Sequence, residues 1–283
     1  MLLALAALWG ASFMLIEIAL RELAPATVIL LRIAFGAAAL ALIVPFAGAR
    51  FAELRPYMGP LALMGGLNTA LPFFLIVWGQ QYIPSGLAAI FNASAPLFTA
   101  LLALGVDRTQ RATGLRLVGI VLGFAGIVLL VGFETSGGER AVLGSLAVVA
   151  AAVLYALGAL YAGRRFARLP PVLVSFGSLA WAALFAAPLG IAHASAFGWE
   201  TLAATLVLGV GATAVAYVLY FGLIRGAGAS RAILVTYLVP SLALVYGAVF
   251  LGEEVTLLAL LGLGLVLAGV ALGTRRSRVA SAA

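Results

Sequence analysis

The chain has 283 residues, 65% hydrophobic and 9% charged, with a mean hydropathy of +1.22. That composition excludes a soluble globular domain and an extended disordered chain, and it marks a polytopic membrane protein. The formal charge of +7 is carried by arginine, and cysteine is absent, which removes disulfides and thiol redox chemistry.

Apolar runs of spanning length recur between short breaks. A backbone in lipid must satisfy its own hydrogen bonds, so such runs are helices, and they lack the alternation of barrel strands. The first predicted span, 2–20, holds Trp9 and Ser12 about halfway and Glu17 near its far end. No basic leader precedes it, so it reads as an uncleaved helix rather than a signal peptide. Span 26–48 contains Arg32, and span 57–79 contains Asn68, Pro72 and Trp78. Span 86–106 lies in "SGLAAIFNASAPLFTALLALGV", with Asn92 one turn before Pro96. Span 114–133 is patterned by Gly119, Gly123 and Gly126. After "GFETSGGERAVLG" come span 142–162 with Tyr155, span 172–190, and span 200–221 with Tyr217. Span 230–250 holds Tyr237 and Pro240, and span 256–273 closes with Gly262, Gly269 and Gly273. The small-xxx-small faces of spans five and ten suit close helix packing within the chain or contact with a second copy.

Charge is distributed by side. Arg50, Arg55, Arg108, Arg111, Arg116, Arg164, Arg165, Arg168, Arg225, Arg231, Arg275, Arg276 and Arg278 share one set of loops, thirteen against Arg21 and Arg140 in the other. This bias predicts cytoplasmic termini, and the chain is expected in a bacterial inner (cytoplasmic) membrane. It also accounts for the basic charge without nucleic acid, since no loop is long enough for a binding domain. Five spans on each side of "GFETSGGERAVLG" force two halves of opposite orientation, with predicted boundaries 1–137 and 138–275 and a tail at 276–283. An offset of 144 sets Pro96 on Pro240 and Ala88 on Ala232. Each proline falls about 15 Å into its helix, near the bilayer centre. Opposed repeats that meet at the midplane suit a secondary transporter.

Proline removes a helical donor, so Pro72, Pro96 and Pro240 are expected to bend their helices and offer carbonyls to a cavity wall. Trp9, Ser12, Asn68, Trp78, Asn92, Tyr155, Tyr217 and Tyr237 are the candidate cavity lining. Amides and hydroxyls suit an uncharged or zwitterionic solute, and aromatic faces suit apolar side chains or an ammonium; each aromatic serves equally well in helix packing. Glu17 and Arg32 lie at similar depth on consecutive helices, which makes an intramembrane ion pair or an outer gate geometrically reasonable. His193 has no acidic or cysteine companion, "GEEV" at Gly252–Val255 reads as a solvated turn, and no metal-ligand cluster or phosphate-binding loop is present. The chain is therefore not read as an enzyme, and no cofactor is expected.

The stretches "WGASFMLIEIAL", "VWGQQYIPSGLAAIFNASAPLFTALLALGVDR", "RLVGIVLGFAGIVLL" and "ASRAILVTYLVPSLALVYGAVFLGEEVTLLALLGLGLVLAGVAL" resemble the drug/metabolite transporter superfamily, in its duplicated EamA type. The similarity spans nearly the whole chain. The turn after the first repeat's proline helix carries Asp107 and Arg108 where the second carries Glu253 and Glu254, a departure from strict repetition. The resemblance implies a ten-helix exporter or exchanger. Its central cavity would be built from helices one, three, four, six, eight and nine, with five and ten peripheral. Within the family, the aromatic and weakly charged lining is similar to that of a bacterial amino-acid exporter. The implied partners are a small-molecule substrate and the lipid bilayer, in a monomer or homodimer. Export of a purine, an organic acid or a drug-like compound, and a non-transporting scaffold, are the competing readings.

Overall fold

The computed structural model describes residues 1–106, 114–134, 138–227 and 234–274. Within them the chain forms apolar helices α1 (Leu2–Leu20), α2 (Pro25–Ile43), α3 (Phe51–Gly79), α4 (Ser85–Leu102), α5 (Leu115–Gly132), α6 (Glu139–Arg165), α7 (Pro171–Ala192), α8 (Trp199–Leu223), α9 (Val235–Leu251) and α10 (Leu257–Gly273). The first eight are long and apolar enough to cross a membrane, and the last two are shorter. Asp107, Arg108, Arg111, Arg231, Arg275, Arg276 and Arg278 lie outside the described residues.

Helix boundaries follow local chemistry. Helix α2 ends at Ile43 rather than at residue 48, because Pro45 opens a short 3-10 turn that Gly48 closes at φ +69°. Helix α3 starts at Phe51, ahead of the predicted 57, in a 3-10 stretch. There the Glu53 carboxylate accepts the Arg50 backbone N–H at 2.8 Å.

The packing has the symmetry of a duplicated unit. Helix α1 packs on α9 and, as its counterpart, α6 packs on α4. Helix α3 packs on α6 and α7, while α8 packs on α1 and α2. The self-paired contacts are α2 with α7, α4 with α9, and α5 with α10. Each of these contacts thus has an equivalent with the halves exchanged, the pattern expected of an inverted repeat. Phe91, Ile16, Ile29, Ile90 and Leu97 are fully buried where these helices converge.

Small residues set the closest approaches. Gly119 abuts the backbone of Gly273 and Leu272, Gly269 abuts Gly123, and Gly126 abuts Leu265 and the Gly262 carbonyl. The predicted small-xxx-small faces of α5 and α10 are therefore spent on one another inside the chain. In lipid, such contact gains its energy from dispersion between backbones rather than from expelled water. Gly269→Leu is expected to lower stability by about 1–3 kcal/mol through overpacking. Thermal unfolding in detergent measures this, and Gly264→Leu, with open space at its Cβ position, serves as the neutral comparison.

Candidate functional site

The site is built where helices depart from regular geometry. In α3 the segment Gly66–Ala70 widens into a π turn immediately before Pro72, and the Leu71 N–H reaches back to the Gly66 carbonyl. Pro72 has no N–H for the Asn68 carbonyl, and the wider turn absorbs that mismatch. In α8 a longer π segment, Val207–Val215, has no proline, and its sequence "VLGVGATAV" is rich in small residues. At the repeat offset of 144, residues 66–70 correspond to 210–214, inside this second widened segment. Helix α4 is interrupted by a turn at residues 93–94, between Ser85–Asn92 and Ala95–Val106, just ahead of Pro96. Helix α9 instead runs through Pro240 from Val235 to Tyr246 and widens later, at Gly247–Leu251.

The α8 widening meets α2 at two glycines. Gly209 lies against Phe35 and the Arg32 carbonyl, and Gly36 lies against Thr213 and the Gly209 carbonyl. In the wide turn the Thr213 hydroxyl donates to the Leu208 carbonyl at 3.0 Å, leaving its oxygen to accept Arg32 Nε at 3.3 Å. Arg32 is only 7% exposed, and its guanidinium carbon stands 3.9 Å from the centroid of the Phe73 ring. Tyr155 of α6 and Tyr217 of α8 lie within electrostatic reach of the same group. From Tyr217 an aromatic train continues through Phe221 and Tyr220 to Trp9 of α1, with centroid separations of 6.3, 5.5 and 5.4 Å.

The structure thus brings Tyr155 and Tyr217 near Arg32, links Trp9 to Tyr217 through Tyr220 and Phe221, and distributes the remaining candidates. Ser12 is buried, but its hydroxyl donates to the Leu8 carbonyl of its own helix at 3.2 Å. Asn68 packs into the hollow at Gly158, between α3 and α6, where a Cβ would collide with its amide. Trp78 contacts Tyr82 at the end of α3, with centroids 5.1 Å apart. Tyr237 interacts with the Thr274 side chain at the end of α10 that bears the C-terminus. Asn92 Oδ1 is buried without a hydrogen-bond partner.

The expected Glu17–Arg32 ion pair is not formed. Arg32 turns toward α3 and α8, whereas the charged neighbours of Glu17 are Glu253 and Arg21. Equal depth on consecutive helices does not fix azimuth, and these two side chains leave their helices on different sides. Glu17 Oε2 is buried and has no hydrogen-bond partner. The solvated-turn reading of "GEEV" holds for exposed Glu254 but fails for Glu253. The Glu253 carboxylate accepts the backbone N–H groups of Ser85 at 2.7 Å and Gly86 at 3.1 Å, capping α4 from the other half. Sequence reasoning also missed Phe73, Thr213 and Gln80. Gln80 is buried and donates from Nε2 to the Phe13 carbonyl at 2.9 Å. An amide inside "IVWGQQYI" was its available signal.

A groove of about 650 Å³ lies elsewhere, between α2, α3 and α7. Its walls, including Leu63, Leu67, Phe74, Phe185 and Leu189, are almost wholly apolar, and several face outward on the bundle's lipid-facing perimeter. It lacks the polar groups that would orient a solute. Among the described residues no group of acidic, histidine or cysteine side chains can hold a metal.

Ten apolar spans with paired irregular helices around a buried polar and aromatic locus define a multi-pass membrane transporter. The chain belongs to the EamA-like transporter family, whose model matches residues 1–132 and again residues 142–275. It is 29% identical over 272 residues to a probable terminal-alkyne amino-acid exporter of Streptantibioticus cattleyicolor, covering 95% of this chain and 90% of that protein. It is also 28% identical over 289 residues to the uncharacterized inner membrane transporter YedA of Escherichia coli K12, covering 96% and 89%. A solved crystal structure shares the fold, with a TM-score of 0.70 and 23% identity, covering 96% of this chain and 94% of that one. The protein is a multi-pass inner-membrane secondary transporter of small metabolites.

At the helix ends opposite the N-terminus, Glu22 ties the α1–α2 turn to the start of α8. It accepts the Thr201 hydroxyl at 2.5 Å and the Gly198 N–H at 2.8 Å, and these bonds hold its carboxyl below the usual carboxylate range. A depressed folded-state value stabilises the protein above the ordinary carboxylate range, and the contribution fades as pH falls through the folded value. Glu22→Gln is therefore expected to lower the thermal midpoint at pH 7, with the gap to wild type closing as pH is lowered below 4. Melting curves at stepped pH measure it.

Proposed function

We propose that the protein exports neutral or aromatic amino acids from the cytoplasm, with residues 1–137 and 138–275 acting as two inverted repeats that alternate access to a site between them. In this reading both chain termini are cytoplasmic. The observation that carries it is the locus where α2 and α3 of one repeat meet α6 and α8 of the other, lined by a buried cation, tyrosines and the ring train from Tyr217 to Trp9. Aromatic faces at that depth accept an apolar side chain or an ammonium. The resemblance to a probable amino-acid exporter supports the same substrate class.

Asn68, Asn92 and Tyr237 contribute along the route rather than at this locus. The irregular segments of α3, α4 and α8 are the points where the halves flex, because their hydrogen-bond ladders are already interrupted. Proteoliposome counterflow tests the proposal with phenylalanine, leucine, lysine, glutamate and adenosine as alternative internal solutes. Saturable exchange of phenylalanine and leucine is expected, and equal, non-saturating flux of every solute would refute it. Asn92→Leu is expected to slow exchange about 3- to 10-fold, the effect of one lost neutral hydrogen bond, with the melting temperature unchanged.

A further inference from the structure

Among the described residues the buried cation has no anion. Arginine remains protonated in a protein interior, and an unpaired charge there is strongly unfavourable. Arg32 is more than nine-tenths buried, yet it meets one neutral hydroxyl through Nε and one aromatic face. The only ion pair among the described residues is Arg21 with Glu200, at 3.8 Å and on the surface. The acid nearest Arg32 in depth, Glu17, makes no contact with it and has Glu253 and Arg21 as its charged neighbours. The groups that face Arg32 are Thr213 and Tyr217 from α8, Phe73 from α3 and Tyr155 from α6, and none of these side chains is a carboxylic acid.

The arrangement also orients the side chain. Thr213 holds Nε, and Phe73 covers one face of the guanidinium, which leaves the terminal nitrogens as the free edge. A planar edge with two parallel N–H groups matches a carboxylate in bidentate geometry. Glycines at 36 and 209 allow α2 and α8 to approach closely enough for this hold.

We infer that Arg32 is the carboxylate-binding residue of the transport site, supplying the cation that a carboxylate-bearing solute neutralises when it binds. Phe73 and Thr213 are its positioning residues, and the tyrosines of α6 and α8 flank the bound anion. This rests on the transport reading above and narrows it, because amines, amides and nucleosides lack the required group.

The test compares four probes of one shape: phenylalanine, phenylalaninamide, phenethylamine and 3-phenylpropionate. Each is titrated against purified full-length protein by isothermal calorimetry and by competition with labelled phenylalanine. Wild type is expected to bind phenylalanine at least about tenfold more tightly than its amide or amine, the scale of one charged hydrogen-bonded contact. Arg32→Gln should bind the three amino-bearing probes within about threefold of one another, and Arg32→Lys should keep part of the preference.

Should Arg32→Gln fail to fold, Thr213→Val provides the same readout, with a reduced carboxylate preference expected. An unchanged preference in Arg32→Gln, or an equal response of wild type to chloride and to carboxylates, would overturn the inference. Binding of 3-phenylpropionate as tight as that of phenylalanine, again lost in Arg32→Gln, would support Arg32 while refuting the amino-acid reading. Saturable phenylalanine exchange with no carboxylate preference would do the reverse.

Discussion

Hydrocarbon offers no partner to a backbone N–H or C=O, and the architecture depends on that constraint. Every regular segment of this chain satisfies its ladder internally, so an interruption is tolerable only where protein or water replaces the missing bond. The interruptions are not scattered. They fall in α3, α4, α8 and α9, two equivalent helices from each half, while the other helices, α5 and α10 among them, stay regular. Irregular backbone thus sits at equivalent places in the two halves, in helices that also pack across them.

Close approach follows from the same constraint. With little hydrophobic gain between helices already in lipid, association relies on dispersion at short range and on a few polar contacts. The glycines of α5 and α10 serve the first, and the glycines at 36 and 209 bring α2 and α8 together for the second. The α2–α8 contact therefore does more than pack. By widening, α8 turns the Thr213 hydroxyl back onto Leu208 and leaves its oxygen facing the arginine. Replacing that turn with a regular helix would shift the residues beyond it around the axis and separate the two groups.

Much of this was legible in the residues. Span type came from hydropathy, which reports directly on solvent preference. The glycine faces of α5 and α10 were readable too, although the choice between an internal and an intermolecular role was not. Azimuth was the main loss. Depth arithmetic placed Glu17 and Arg32 together, but low helix amphipathicity in a chain apolar on all faces leaves no sequence signal for which way a side chain points. The π segment of α8 was hidden for a related reason: Pro72 announces its counterpart in α3, whereas "VLGVGATAV" contains only small residues that fit a regular helix equally well. Glu253 was misread because its partners, the first N–H groups of α4, are distant in sequence and belong to the other half.

Duplication has made the two halves alike in path and unlike in chemistry. The first repeat brings Arg32, Phe73, Asn68 and Asn92 to the interior; the second brings Thr213, Tyr155, Tyr217 and Tyr220. A site with identical halves would bind an asymmetric solute in two equivalent orientations. In the site proposed above one side holds the cation and the other supplies most of the hydroxyls and rings, which would give a solute with a charged end and an apolar end one preferred orientation. On the alternating-access proposal, the symmetry of the scaffold would govern how the halves move, and its chemical inequality how the solute lies while they do.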